Sequence, residues 1–170
     1  MSRLFLRNVR YPLMSMRLYG ASITGAAVLL GAFMAKPDTP WYMILMLIAL
    51  ATMWHASMGI FNELCHRGED KSDPTQHPDY NASMKARETR MFFIKVLLLT
   101  MFTLSLICLG LFPTILLLAS QALALYYSRY GKYQSYLYDQ VPAVGFALLV
   151  LFGASAVSDP NQKSLFPSTA

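Results

Sequence analysis

From Trp41 to Phe61 the chain carries no acid, no lysine and no arginine. An apolar run of that length matches the roughly 20 residues a helix needs to cross a bilayer core. Only 14% of the 170 residues are charged, against about 25% in ordinary soluble domains. Further apolar runs at 18–35, 91–111, 113–127 and 137–157 bring the expected spans to five, and no soluble domain remains once they are set aside. The sequence therefore predicts an all-α fold, a polytopic membrane helix bundle of five transmembrane helices forming one domain over residues 1–170. The fourth run is the shortest, about 15 residues and some 22 Å as a helix, so it is expected to tuck against its neighbours or to cross a thinned region. Gly110 and Pro113 mark the break before it, because proline suits a helix start and not its interior.

Charge sets the expected orientation. Arg3, Arg7, Arg10 and Arg17 precede or open the first span. Arg67, Lys71, Lys85, Arg87, Arg90 and Lys95 lie between the second and third, and Arg129 and Lys132 between the fourth and fifth. Of the 14 basic residues, Lys36 and Lys163 alone fall on the other side. By the positive-inside rule the N-terminus and both polar loops face the cytoplasm or an equivalent compartment, with the C-terminus opposite. The net charge of +5 then reads as a topogenic signal with attraction to anionic headgroups. It does not point to nucleic acid, since the cations are dispersed along membrane borders. Residues 1–37 hold no acid and open Arg-rich, which is compatible with a mitochondrial transit segment. Phe33 is unsuited to signal-peptide cleavage after Ala35, so the first span is expected to stay attached.

The segment leaving the second span has a pattern. Asn62, His66 and Asp70 fall at i, i+4 and i+8, which a continuing helix stacks on one face. Oxygen ligands in such a row suit a hard divalent cation and, through it, a phosphate. The polar loop over 62–90 also holds Glu63, Glu69, Asp73, Asp79 and Glu88 among its cations. A solvated loop of mixed charge is the plain alternative. A second polar region, with Tyr126, Tyr127, Arg129, Tyr130, Lys132 and Tyr133, reads either as an interfacial aromatic belt or as a basic, tyrosine-walled site for an anionic ligand on the same side as Asp70. Sequence alone does not place the two regions together.

Other polar residues read as packing. His55 shares a helical face with Asn62 and is expected to bond a neighbouring helix or line a pocket. Gln121 and Asp139 are treated likewise. Gly20, Gly25 and Gly31, with four nearby alanines, give the first span a small face suited to close helix packing. Cys65 and Cys108 are separated by the third span and form no disulfide framework, and His66 and His77 make no zinc pattern. No nucleophile triad and no glycine-rich phosphate loop stand out.

The stretch Asn62-Glu63-Leu64-Cys65-His66-Arg67-Gly68-Glu69-Asp70 resembles the first aspartate-rich motif, N-D-x-x-D-x-x-x-D, of the UbiA superfamily of intramembrane prenyltransferases. The surroundings are similar too, in order and over nearly the whole chain. Arg10-Tyr11-Pro12 leads into a Gly/Ala-rich first span. Asp70–Pro74 and His77-Pro78 follow the motif, and Leu125-Tyr126-Tyr127-Ser128 with Lys132 follows the fourth span.

The resemblance implies a helical membrane enzyme. Two aspartate-rich loops would hold Mg²⁺ ions that bind the diphosphate of an isoprenyl donor, and an aromatic or other lipophilic acceptor would capture the allylic cation. Carried over by position, Asn62, Glu63 and Asp70 are the expected catalytic residues, with Asn62, His66 and Asp70 toward the metal. Arg67, Lys71, Tyr126, Arg129 and Lys132 are expected toward the prenyl diphosphate.

Two departures stand against simple activity. His66 replaces an aspartate, and Mg²⁺ prefers oxygen to imidazole. The family has nine helices, with its second aspartate motif between the sixth and seventh, and this chain holds five spans. The expectation is the first half of such an enzyme, incomplete or inactive alone: a fragment, a split half needing a second chain, or a degenerate relative. The alternative is a non-catalytic subunit of a larger membrane complex. A transport path is disfavoured, because the spans hold few charges.

Overall fold

The computed structural model describes residues 20–65, 84–130 and 140–158. Within them lie five helices: α1 (Ala21–Ala35), α2 (Trp41–Cys65), α3 (Met84–Leu109), α4 (Leu111–Arg129) and α5 (Gln140–Ser158). No strand occurs among the described residues. Four of the helices, α2 to α5, are long and apolar enough to cross a membrane, and α1 is shorter. The all-helical membrane bundle expected from the apolar runs is the fold.

Helix lengths depart from expectation in one respect. α4 has 19 residues, about 28 Å of helix, so the expectation of a short fourth span is corrected. Pro113 does not start the helix but occupies its third position, after Leu111 and Phe112. The first four amides of a helix have no intrahelical acceptor, so a proline there forfeits no bond. The short helix is α1, with 15 residues; positions 18 and 19 of the expected first span lie outside the described residues. Gly110 separates α3 from α4 at φ 88°, a backbone state that a Cβ disfavours. Next to this corner Thr114 donates to the Gly110 carbonyl at 2.7 Å, and its hydroxyl meets Ser105 at 2.9 Å, tying the two helices where they reverse.

The distribution of side chains is that of a bundle in an apolar solvent. Ile23, Leu30, Leu99, Ile107, Phe112 and Leu151 are exposed, whereas Thr24, Ser57, Ser105, Thr114, Ser120 and Gln121 are buried. Polar groups turn inward because lipid offers them no hydrogen bonds. The apolar interior runs through Val28, Leu47, Leu50, Trp54, Met101, Leu117, Leu149 and Phe152. α2 touches α1, α3 and α4, while α1 and α5 share the most extensive contact.

That contact is made backbone to backbone. A Cβ built on Gly31 would collide with the Val150 carbonyl, and one on Gly153 with the Val28 carbonyl. The two glycines thus face each other's helix reciprocally, the close approach that small residues permit in membranes. Gly25, on the same helix, has nothing within 4 Å of a built Cβ. Replacing Gly31 or Gly153 by valine should therefore lower the unfolding temperature in mild detergent and free α1 from α5, because a carbonyl cannot move aside as a side-chain tip can. Gly25→Ala should be neutral or slightly stabilising, since alanine is favoured in a helix by about 1 kcal/mol. Equal thermal shifts for Gly25→Ala and Gly153→Val would remove the special role of the crossing.

Candidate functional site

α2 continues four residues past the expected span end, to Cys65, so Asn62 and Glu63 stand on a formed helix rather than in a loop. Both are half-buried. The helix persists because the last turn is held by an apolar pad: Ala56, Ile60 and Ile94 are buried, with Phe61, Leu64, Phe93 and Leu97 packed around them. The pad joins the end of α2 to the start of α3. Above it, Glu63 Oε2 meets Arg90 Nη2 at 3.2 Å, with 5% of the arginine side chain and 25% of the glutamate side chain exposed.

Arg90 is the functional candidate that sequence reasoning missed. It was counted among the topogenic cations, yet Arg90, Ile94, Met101, Ser105 and Leu109 are the buried positions of α3, a single helical stripe facing the bundle. A cation in phase with the buried stripe, at the same border as an acid, is the signal that could have found it. Its neighbours Arg87, Met91 and Lys95 point elsewhere. They are exposed and line a separate open depression of about 420 Å³ with Glu88 and Phe92.

The end of α4 comes to the same place. The charge of Arg129 reaches Cys65, so the last turn of α4 and the last turn of α2 are neighbours. The two polar regions, left separate by the sequence, converge in the fold. The Arg129 guanidinium lies 5.3 Å from the centroid of the Tyr130 ring, and Tyr130 packs on Tyr126 at 5.5 Å. Tyr126 is 45% exposed, so one wall of this end is aromatic and basic, suited to an anion beside an apolar chain. His66, Arg67, Asp70, Lys71 and Lys132 lie outside the described residues, as does Asp139. Only Asn62 of the i, i+4, i+8 row is therefore placed.

Deeper in the bundle, the remaining polar residues bind helix to helix. His55 Nδ1 meets the Thr24 hydroxyl at 3.0 Å, and its ring fills the space a Cβ on Gly20 would need. Ser57 donates to the Trp54 carbonyl at 2.8 Å and lies 3.5 Å from Gln121 Oε1. His55 and Gln121 both take the interhelical role that sequence allowed them.

Among the described residues no group of three or more acids, histidines or cysteines gathers to hold a metal. The oxygen donors present are Asn62 and Glu63, and their chemistry fits a hard cation. Glu63 already seats a positive charge, the Arg90 guanidinium, so the carboxylate is oriented to receive one. A complete site would draw further oxygens from residues beyond Cys65.

A carboxylate left beside this apolar pad without its guanidinium is poorly solvated. Arg90→Met should therefore destabilise by roughly 1–3 kcal/mol, less than a fully enclosed pair because a quarter of Glu63 stays exposed. The double change Glu63→Gln with Arg90→Met should cost less than the two single changes added together. Thermal unfolding in detergent, read as a double-mutant cycle, measures this, and simple additivity would mean the pair is not coupled.

Comparison with known proteins agrees with this arrangement. No curated protein and no solved structure matches the chain. The profile of the UbiA prenyltransferase family does match, over residues 24–169, which takes in all five helices and both converging polar regions. By that match the chain belongs to the UbiA prenyltransferase family.

Proposed function

We propose that the chain is a prenyltransferase-type membrane protein that binds a prenyl diphosphate where α2, α3 and α4 end together, for transfer to an aromatic or other lipophilic acceptor. The observation that carries the reading is the convergence of Asn62 and Glu63 with Tyr126 and Arg129 at one end of a bundle belonging to this family. Lipid-facing apolar helices offer the prenyl tail a greasy surround, and the polar end offers its diphosphate charge and hydrogen bonds. The oxygens of Asn62, Glu63 and Asp70 would hold Mg²⁺, with His66 beside them. When bound, the ion supplies the charge neutralisation that makes diphosphate a leaving group. Arg67, Lys71, Arg129 and Lys132 orient the anion and keep it at the border, while the face of Tyr126 shields the developing allylic cation. This polar end faces the cytoplasm or its equivalent, where the basic residues cluster.

The 170 residues contain one acidic segment of this type. The second segment that the family's chemistry uses would come from further polypeptide, covalently joined or on a partner chain, so the chain purified alone is expected to bind donor without transferring it. Geranyl diphosphate should bind the detergent-solubilised protein more tightly with Mg²⁺ than without, and Asp70→Ala should weaken the Mg²⁺-supported binding by about tenfold or more. Binding indifferent to both Mg²⁺ and Asp70 would remove the proposed role.

A second reading, a non-catalytic membrane subunit, is favoured by His66 standing where the family carries an acid. Isolation in mild detergent separates the two. Co-purification of a stoichiometric partner, with no diphosphate binding by either component, would favour the subunit.

A further inference from the structure

Arg90 is an arginine with 5% of its side chain exposed, set against a carboxylate in the acidic motif of the chain. Removing two charges from water is unfavourable by several kcal/mol per ion, and the pad of Ile60, Ile94, Leu64 and Phe93 beneath them offers no polar compensation. A methionine or leucine at position 90 would continue the buried stripe of α3 without that penalty. The pair is therefore poorly explained as a device for stability. It is well explained as a place where positive charge is needed and must be exchangeable. Glu63 is a metal-type donor on the last turn of α2, and Arg90 neutralises it from the neighbouring helix. A guanidinium is also a good bidentate partner for phosphate oxygens, and the end of α4, with Arg129, borders the same region.

We infer that Arg90 is a built-in counter-cation: it occupies Glu63 while the site is empty, excludes a divalent cation from it, and moves to the diphosphate when donor and metal arrive together. The inference rests on the diphosphate-binding reading above. Charge balances at both stages. In the empty site the carboxylate is paired with the guanidinium. In the loaded site the carboxylate faces the metal, and the guanidinium faces the phosphate oxygens. Metal and diphosphate then bind with positive coupling, because each removes the partner that opposes the other. Arg90 is a positioning residue toward the metal and a binding residue toward the anion, and both roles are separable from its structural one.

Manganese as a probe for magnesium, followed by its paramagnetic resonance in detergent, and inorganic pyrophosphate as a probe for the donor test this directly. The wild-type protein should bind Mn²⁺ weakly alone and roughly tenfold or more tightly with pyrophosphate. Arg90→Met should bind Mn²⁺ alone more tightly than wild type, by about tenfold, and lose most of the gain from pyrophosphate. Arg90→Lys should keep the wild-type order. An Arg90→Met protein whose Mn²⁺ affinity is unchanged or lower, while wild type still binds Mn²⁺ with pyrophosphate, overturns the inference and leaves the proposed function standing. Failure of wild type and Arg90→Met alike to bind Mn²⁺ with or without pyrophosphate sinks both. Should Arg90→Met not fold, Glu63→Gln decides: it keeps the hydrogen bond to Arg90 and should lose pyrophosphate-supported Mn²⁺ binding, and an unaltered affinity there would mean that Glu63 never receives the metal.

Discussion

In lipid, hiding an apolar side chain gains little, because the solvent is as apolar as the side chain. What orders a membrane bundle is how closely backbones approach and where the few polar groups find partners. Here both requirements are met by particular residues. Gly31 and Gly153 let α1 and α5 touch through their backbones, and the hydroxyls of Thr24 and Thr114 bond His55 and Ser105 across helix boundaries. These contacts fix α1 on α5 and α3 beside α4. Once they are in place, the ends of α2, α3 and α4 are brought to one region, and the polar residues there have no other arrangement available.

Much of this was legible because charge is a strong signal in a membrane chain. The absence of acids and bases from Trp41 to Phe61 marks a helix whatever its neighbours do, and the same holds for the runs that became α3 and α5. Helix ends were less legible. Pro113 looked like a boundary, but its effect depends on whether a bond would have formed at that position, and in the first turn none does. The small face of α1 announced close packing without saying against what. The partner glycine, Gly153, lies more than a hundred positions away, and nothing local to either residue marks the pairing.

The site was legible as a motif and not as an arrangement. Asn62 and Glu63 could be named from the pattern that follows the second span, but their nearest charged partner could not. Positively charged residues at a membrane border serve topology, and Arg90 was lost among them. Burial distinguishes it, and burial follows from helical phase: Arg90 shares the stripe of Ile94, Met101 and Leu109, whereas Arg87 and Lys95 do not. The phase of a charge relative to the apolar stripe of its own helix carries more information than its count in a loop.

That distinction bears on how the motif works. A carboxylate at the rim of a bundle has two ways to remain ionised, water or a fixed cation. Glu63 has given up three quarters of its side-chain exposure, so it depends on a fixed cation more than a loop acid would. The same dependence makes it selective. A carboxylate fully in water takes up and releases cations freely, whereas one already neutralised by a guanidinium yields only to a competitor that brings a higher charge and also satisfies the displaced arginine. A divalent ion alone meets the first condition, and a diphosphate alone meets the second. The complex of the two meets both, which makes the Glu63–Arg90 pair a filter for the ligand rather than a brace for the helices.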